Sequence, residues 1–154
     1  MDGQSDPEIV PLTGLLGMAY NALSASIFRQ VVSSGFDDIR PRHGNVFEQL
    51  TFDDGLRLKE LAARSGMTPQ AMGELVDELE ELNYVERRPD PSDRRAKGIF
   101  LTKRGKRNAR RGLDVVKEIE NDLEARLGAR RMSSLRKALV EVIDAAAEGD
   151  HVQL

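Results

Sequence analysis

At 154 residues, 40% hydrophobic and 32% charged, the chain is long enough for one real core and too apolar for a disordered segment. It has no cysteine, which excludes a disulfide framework and thiol redox sensing. It also has no apolar run near the roughly 20 residues that span a membrane. The acidic, polar start Met1–Pro7 is unlike a secretory signal, so a cytoplasmic location without membrane partners is expected.

Taken in chain order, Leu12, Leu15, Leu16, Ala19, Leu23 and Ile27 recur at helical spacing, with Pro11 suited to a first turn; a helix over 11–33 is predicted. A second helix is expected from Arg42 to Leu50, with Val46, Phe47 and Leu50 inward, closed by a turn at Asp53-Asp54-Gly55. Leu58, Leu61 and Ala62 mark a short helix that Gly66 stops by taking a left-handed conformation. Thr68 then caps another helix with Pro69 at its first position and Met72, Leu75, Val76, Leu79 and Leu82 on its apolar face. Two short β runs, 84–86 and 98–102, flank a Pro- and Asp-punctuated turn crowded with arginine, which predicts a hairpin. Thr102 caps a long helix to about Leu127, Gly128 ends it, and a last helix spans roughly Met132 to Ala147, with 150–154 frayed. The expected class is mainly α: a winged helix-turn-helix over 41–102 with a two- or three-stranded wing, flanked by terminal helices at 11–33 and 103–147. The apolar stripes of those outer helices are more than one subunit can cover, so they are expected to form a homodimer.

Charge is unevenly spread. The stretch from Tyr84 to Arg111 carries eleven Lys/Arg and three acids, a net of +8, so the whole-chain value of −3 leaves −11 elsewhere. Because salt screens charge beyond about 8–10 Å, this local cluster outweighs the total where phosphate is concerned. In a helix-turn-helix the second helix enters the major groove. Its exposed positions here are Thr68, Pro69, Gln70, Ala71 and Gly73: Gln70 can hold adenine by paired hydrogen bonds, and the Thr and Ala methyls can meet a thymine methyl. Farther along, Glu74, Asp77, Glu78, Glu80 and Glu81 repel a polyanion, so only the N-terminal end of that helix can enter. In the hairpin, Asp93 sits two residues before Arg95 and can hold its guanidinium in paired geometry, while Arg94 and Lys97 meet flanking phosphates. Double-stranded DNA is the expected partner.

These residues resemble the MarR family of multiple-antibiotic-resistance-type regulators. The likeness runs through Leu58-Lys59-Glu60-Leu61-Ala62, Gly66-Met67-Thr68, Leu75–Glu80, Tyr84–Arg87 and Pro89–Arg95 to Leu101-Thr102-Lys103-Arg104-Gly105, and the outer helices fit the family in number and length. The resemblance implies one MarR-like domain over 1–154, acting on an inverted-repeat operator as a dimeric transcriptional regulator, a repressor before an activator, with small aromatic ligands bound between dimer and DNA-binding lobe. It implies that Arg95 enters the minor groove, that Asp93 is its partner and that Asp77 braces the wing. Glu74 and Gly73 depart from the family, which often has Arg and Thr or Ser there.

His43, Tyr20 and Phe47 are the candidate ligand-lining residues, with core packing the competing account. His43 and His151 are 108 positions apart, so no metal site or other cofactor is expected, and no cysteine nucleophile, phosphate loop or serine elbow supports catalysis. The rival reading is a winged-helix module for protein interaction or RNA; few exposed aromatics are available to stack single-stranded bases.

Overall fold

A computed structural model describes residues 10–90 and 93–149, without the side chains of 93–95, 148 and 149. Six α-helices and a hairpin follow in order among these residues: α1 (Leu12–Ser33), a 3-10 turn (Pro41–His43), α2 (Gly44–Phe52), α3 (Leu58–Arg64), α4 (Pro69–Glu81), β1 (Val85–Asp90), β2 (Asp93–Leu101), α5 (Lys103–Leu127) and α6 (Ala129–Gly149). The chain divides into two compact units whose boundary falls between Val115 and Val116, inside α5. The fold is mainly helical with one small antiparallel sheet.

In the first unit the core gathers Val46, Phe47 and Leu50 of α2, Leu61 and Ala62 of α3, Met72, Leu75, Val76 and Leu79 of α4, and Tyr84, Val85, Ile99 and Leu101 of the hairpin. Each helix contributes one apolar stripe at three- and four-residue spacing. Local chemistry sets the boundaries. Glu60 reaches back to accept from the Arg57 N–H at 2.8 Å, opening α3. Gly66 closes it with φ of +62°, and the Met67 N–H returns to the Ala62 carbonyl at 2.9 Å. The Thr68 hydroxyl accepts from the Ala71 N–H at 3.2 Å, and Pro69 fills the first helical position of α4. Asn83, with φ of +61°, turns the chain out of α4 so that the Tyr84 N–H reaches the Leu79 carbonyl.

The two strands are longer than the sequence predicts. Pairing runs from Val85 with Leu101 to Pro89 with Lys97, and after an irregularity Asp90 faces Asp93. Arg87 and Arg88 carry no apolar alternation, so nothing in the residues announces the ladder they join. A third strand survives as a single bridge between Arg57 and Gly98, supported by the Gly55 N–H on the Ile99 carbonyl and the Ile99 N–H on the Leu56 carbonyl, both 2.9 Å. The Phe100 ring lies over this corner. A Cβ on Gly55 would fall 2.6 Å from it, and one on Gly98 would fall 2.6 Å from the Gly55 carbonyl oxygen. Arg88 stacks its guanidinium on the same ring at 4.1 Å.

Thr102 caps α5, accepting from the Gly105 N–H at 3.1 Å while its own hydroxyl donates to the Asn83 and Tyr84 carbonyls. Helix and strand meet so closely at Gly105 that a Cβ there would come within 2.1 Å of the Tyr84 carbonyl oxygen. α1 buries only Val31 completely; Leu12 (58% exposed), Met18 (63%) and Tyr20 (56%) stand open. The stripe finds little cover within the first unit, as expected of a helix whose apolar face is more than one subunit can bury.

In the second unit, Gly128 takes φ of +83° between α5 and α6, and the Met132 N–H bonds to its carbonyl at 3.1 Å. α6 begins three residues before its expected start. Arg136 pairs with Glu120 at 2.9 Å, Met132 is buried, and Leu135, Val140, Val142 and Ile143 are exposed. No described helix is long and apolar enough to cross a membrane.

Candidate nucleic-acid interface

The geometry of α3, the Gly66 turn and α4 leaves the N-terminal end of α4 open. Thr68, Pro69 and Gln70 are exposed and Ala71 is half-buried. Gly73, one turn on from Pro69 and Gln70, is half-buried, and a Cβ on it would come within ordinary contact of Leu58 of α3, at 3.7 Å. The free N–H groups and dipole of the first turn favour an anion at this end.

The acids that follow on α4 are largely tied to arginines. Asp77 receives the Arg87 guanidinium at 2.6 Å, and Glu80 accepts both from the same guanidinium and, at 3.0 Å, from the Arg87 backbone N–H. Burial opposes the charge on Arg87, but its hydrogen bonds to Asp77 and then to Glu80 outweigh it and hold the guanidinium more firmly protonated. This pairing fastens β1 to α4. Glu78 accepts twice from Arg42, at 2.6 and 2.7 Å, and lies 2.8 Å from the His43 ring. Its carboxyl is pulled from 4.5 to about 2, first by the Arg42 hydrogen bond and then by His43.

Lys97 is exposed on β2, and Arg57 holds the turn end of β1 through Asp90 at 2.8 Å. The side chains of Asp93, Arg94 and Arg95, expected to carry the wing's contact with DNA, lie outside the described residues.

The basic cluster is less free than its net charge of +8 implies. Besides Arg87, Arg104 donates to the Leu82 carbonyl at 2.7 Å and to Asp38 at 2.8 Å, stacked over Tyr84 at 4.2 Å. Arg111 donates to Ser34, Lys106 lies 3.5 Å from Asp54, and Arg88 sits on Phe100. Several of these cations hold the fold together before any phosphate arrives. Sequence reasoning missed the pairings because partners such as Arg42 and Glu78, or Asp38 and Arg104, are 36 and 66 residues apart and follow no period.

The candidate ligand-lining residues do not converge on a shared ring contact. Phe47 is buried edge-on against Tyr84 at 5.5 Å, His43 is buried between Arg40 and Glu78, and Tyr20 is exposed on α1. Tyr84 is the hub that the sequence did not single out. Its hydroxyl donates to Asp38 at 2.6 Å, and burial, then that carboxylate, push its pKa well above 10. Burial opposes ionisation of Asp38, but the hydrogen bonds from Tyr84 and Arg104 prevail and keep its carboxyl below the usual range.

A helix-turn-helix followed by a two-stranded hairpin defines a winged helix-turn-helix protein. The profile of the MarR family matches residues 37–96. It is 33% identical over 90 residues to the HTH-type transcriptional repressor Rv2887 of Mycobacterium tuberculosis. That match spans 58% of this chain and 65% of the relative, short of two thirds of its length. The structure of Rv2887 in complex with salicylic acid superposes with a TM-score of 0.65 at 27% identity, covering 86% of this chain and 96% of the other. The crystal structure of MarR gives a TM-score of 0.76 at 22% identity over 98% and 97% of the two chains, a likeness of fold.

Proposed function

We propose that the protein is a sequence-specific DNA-binding transcriptional regulator that acts as a homodimeric repressor on an inverted-repeat operator and is released by a small aromatic ligand. The observation that carries this reading is the division of α4: a polar, open N-terminal end at Thr68–Ala71, and a C-terminal half in which Asp77 and Glu80 are held by Arg87 and Glu78 by Arg42. Such a helix presents hydrogen-bonding groups to base edges while its negative charge is turned onto its own scaffold. The repressor name of the mycobacterial relative supports the regulatory role, and its salicylic acid complex supports the ligand. The open apolar residues of α1 and α6 support self-association.

Selection of bound sequences from a random duplex pool tests the proposal. The expected product is an inverted repeat with half-sites about 10 base pairs apart, one helical turn, as a two-fold dimer requires. A pool that enriches no sequence rejects sequence-specific reading, and a single enriched half-site rejects the dimer. Salicylate titrated into the selected complex lowers its occupancy if the ligand part holds; unchanged occupancy removes that part.

A further inference from the structure

His43 is 1% exposed and both of its ring nitrogens are engaged. Nδ1 lies 3.1 Å from the Arg40 backbone N–H, which can only donate, so Nδ1 is an acceptor without a proton. The ring proton is therefore on Nε2, 2.8 Å from Glu78 Oε2, and donates to that carboxylate. Arg42, one residue earlier, closes on the same carboxylate. The 3-10 turn Pro41–His43 thus grips α4 through one acid from two directions.

Building on the DNA-reading function proposed above, we infer that His43 is a positioning residue for sequence recognition: through Glu78 it sets the rotation of α4 and so the aim of Gln70 and its neighbours. The apolar interface of α4 cannot do this alone, and the bonds of Asp77 and Glu80 to Arg87 tie α4 to β1, not to the 3-10 turn. Met72, Leu75, Val76 and Leu79 bury apolar surface, an attraction without direction that tolerates small rolls of the helix. A buried imidazole with a fixed tautomer has direction, and it is short and stiff compared with the partly exposed Arg42. Glu78 lies eight residues beyond Gln70, about 12 Å along the helix axis. Recognition groups need placement within roughly 0.5 Å and 10–20°. A 20° roll moves a side-chain tip some 6 Å from the axis by about 2 Å, enough to break a paired contact to a base. Attraction to phosphate is less demanding, so a rolled helix still binds DNA but reads it poorly.

The test compares affinity for the selected operator with affinity for random duplex in the full-length protein. His43→Leu is expected to lower the operator-to-random ratio about tenfold while random-duplex affinity stays within twofold. His43→Gln, which returns an amide N–H to the Glu78 side, recovers most of the ratio. Glu78→Ala, assayed where circular dichroism shows it folded, produces the same loss as His43→Leu, and the double variant loses no more than either single one. In the wild type, imidazole nitrogen NMR shows His43 protonated at Nε2. A ratio preserved within twofold in either Glu78→Ala or His43→Leu, additive losses, or a proton on Nδ1 overturns the inference. A wild type that binds operator no better than random duplex overturns the DNA-reading function itself, a result distinguishable from all of these.

Discussion

Tyr84, Asp38 and Arg104 tie three segments of the first unit with one phenol, one carboxylate and one guanidinium. Removing the hydroxyl leaves a carboxylate oxygen short of its donor in a partly buried place, so Tyr84→Phe is expected to cost about 1–3 kcal/mol in denaturant unfolding. Unchanged stability would mean that water replaces the hydroxyl freely. The phenol also makes stability depend on alkaline pH. In the folded chain its proton is held above the ordinary value of 10.0, so the stabilisation is complete below pH 10. As pH rises past 10 the unfolded chain releases the proton first and stability falls, a decline that Tyr84→Phe should flatten. Glu78 behaves oppositely: its folded carboxyl titrates near 2 against 4.5, so its contribution is present above pH 4.5 and disappears as pH falls toward 2. Acid unfolding of Glu78→Gln should lack that portion of the slope. None of these partners was legible beforehand. The sequence shows which residues can pair, and only the folded chain decides which of them meet across dozens of positions.

Helices were the legible elements. Capping by Thr68 and Thr102 and the stops at Gly66 and Gly128 follow from local chemistry, and each appears where the residues predict it. The wing was legible as a hairpin but not in length, because its outer half pairs polar and charged residues that carry no two-residue alternation. The open end of α4 was also readable, with Thr68, Pro69 and Gln70 exposed and Ala71 and Gly73 half-buried. At the junction of α5 with β1, the spacing leaves no room for a methyl group. Gly105→Ala should therefore destabilise the protein by about 3 kcal/mol, since backbone must move to admit a Cβ 2.1 Å from the Tyr84 carbonyl oxygen. A melting temperature within a degree or two of wild type would show that the helix shifts at little cost.

For the whole molecule, the apolar residues left open on α1 and α6 are a feature that periodicity foresaw: the stripes are longer than one subunit can cover, and they stand exposed. If a second copy covers them, the double variant Met18→Asp, Ile143→Asp should sediment as a folded monomer at micromolar concentration while the wild type sediments as a dimer. A variant that remains dimeric would place the interface elsewhere.

In the proposed complex with duplex DNA, the bond between Arg87 and its two acids on α4 has a consequence for how ions act. Binding to duplex DNA releases condensed counterions, about 0.9 per phosphate neutralised, and this fixes the slope of log affinity against log salt. Electrolyte also weakens the partly exposed pairs of Arg87 with Asp77 and Glu80, which hold the wing to the recognition helix. Added salt thus acts twice, once on the contact with DNA and once on the alignment of the two parts that make it. The apparent slope will overstate the number of phosphates touched.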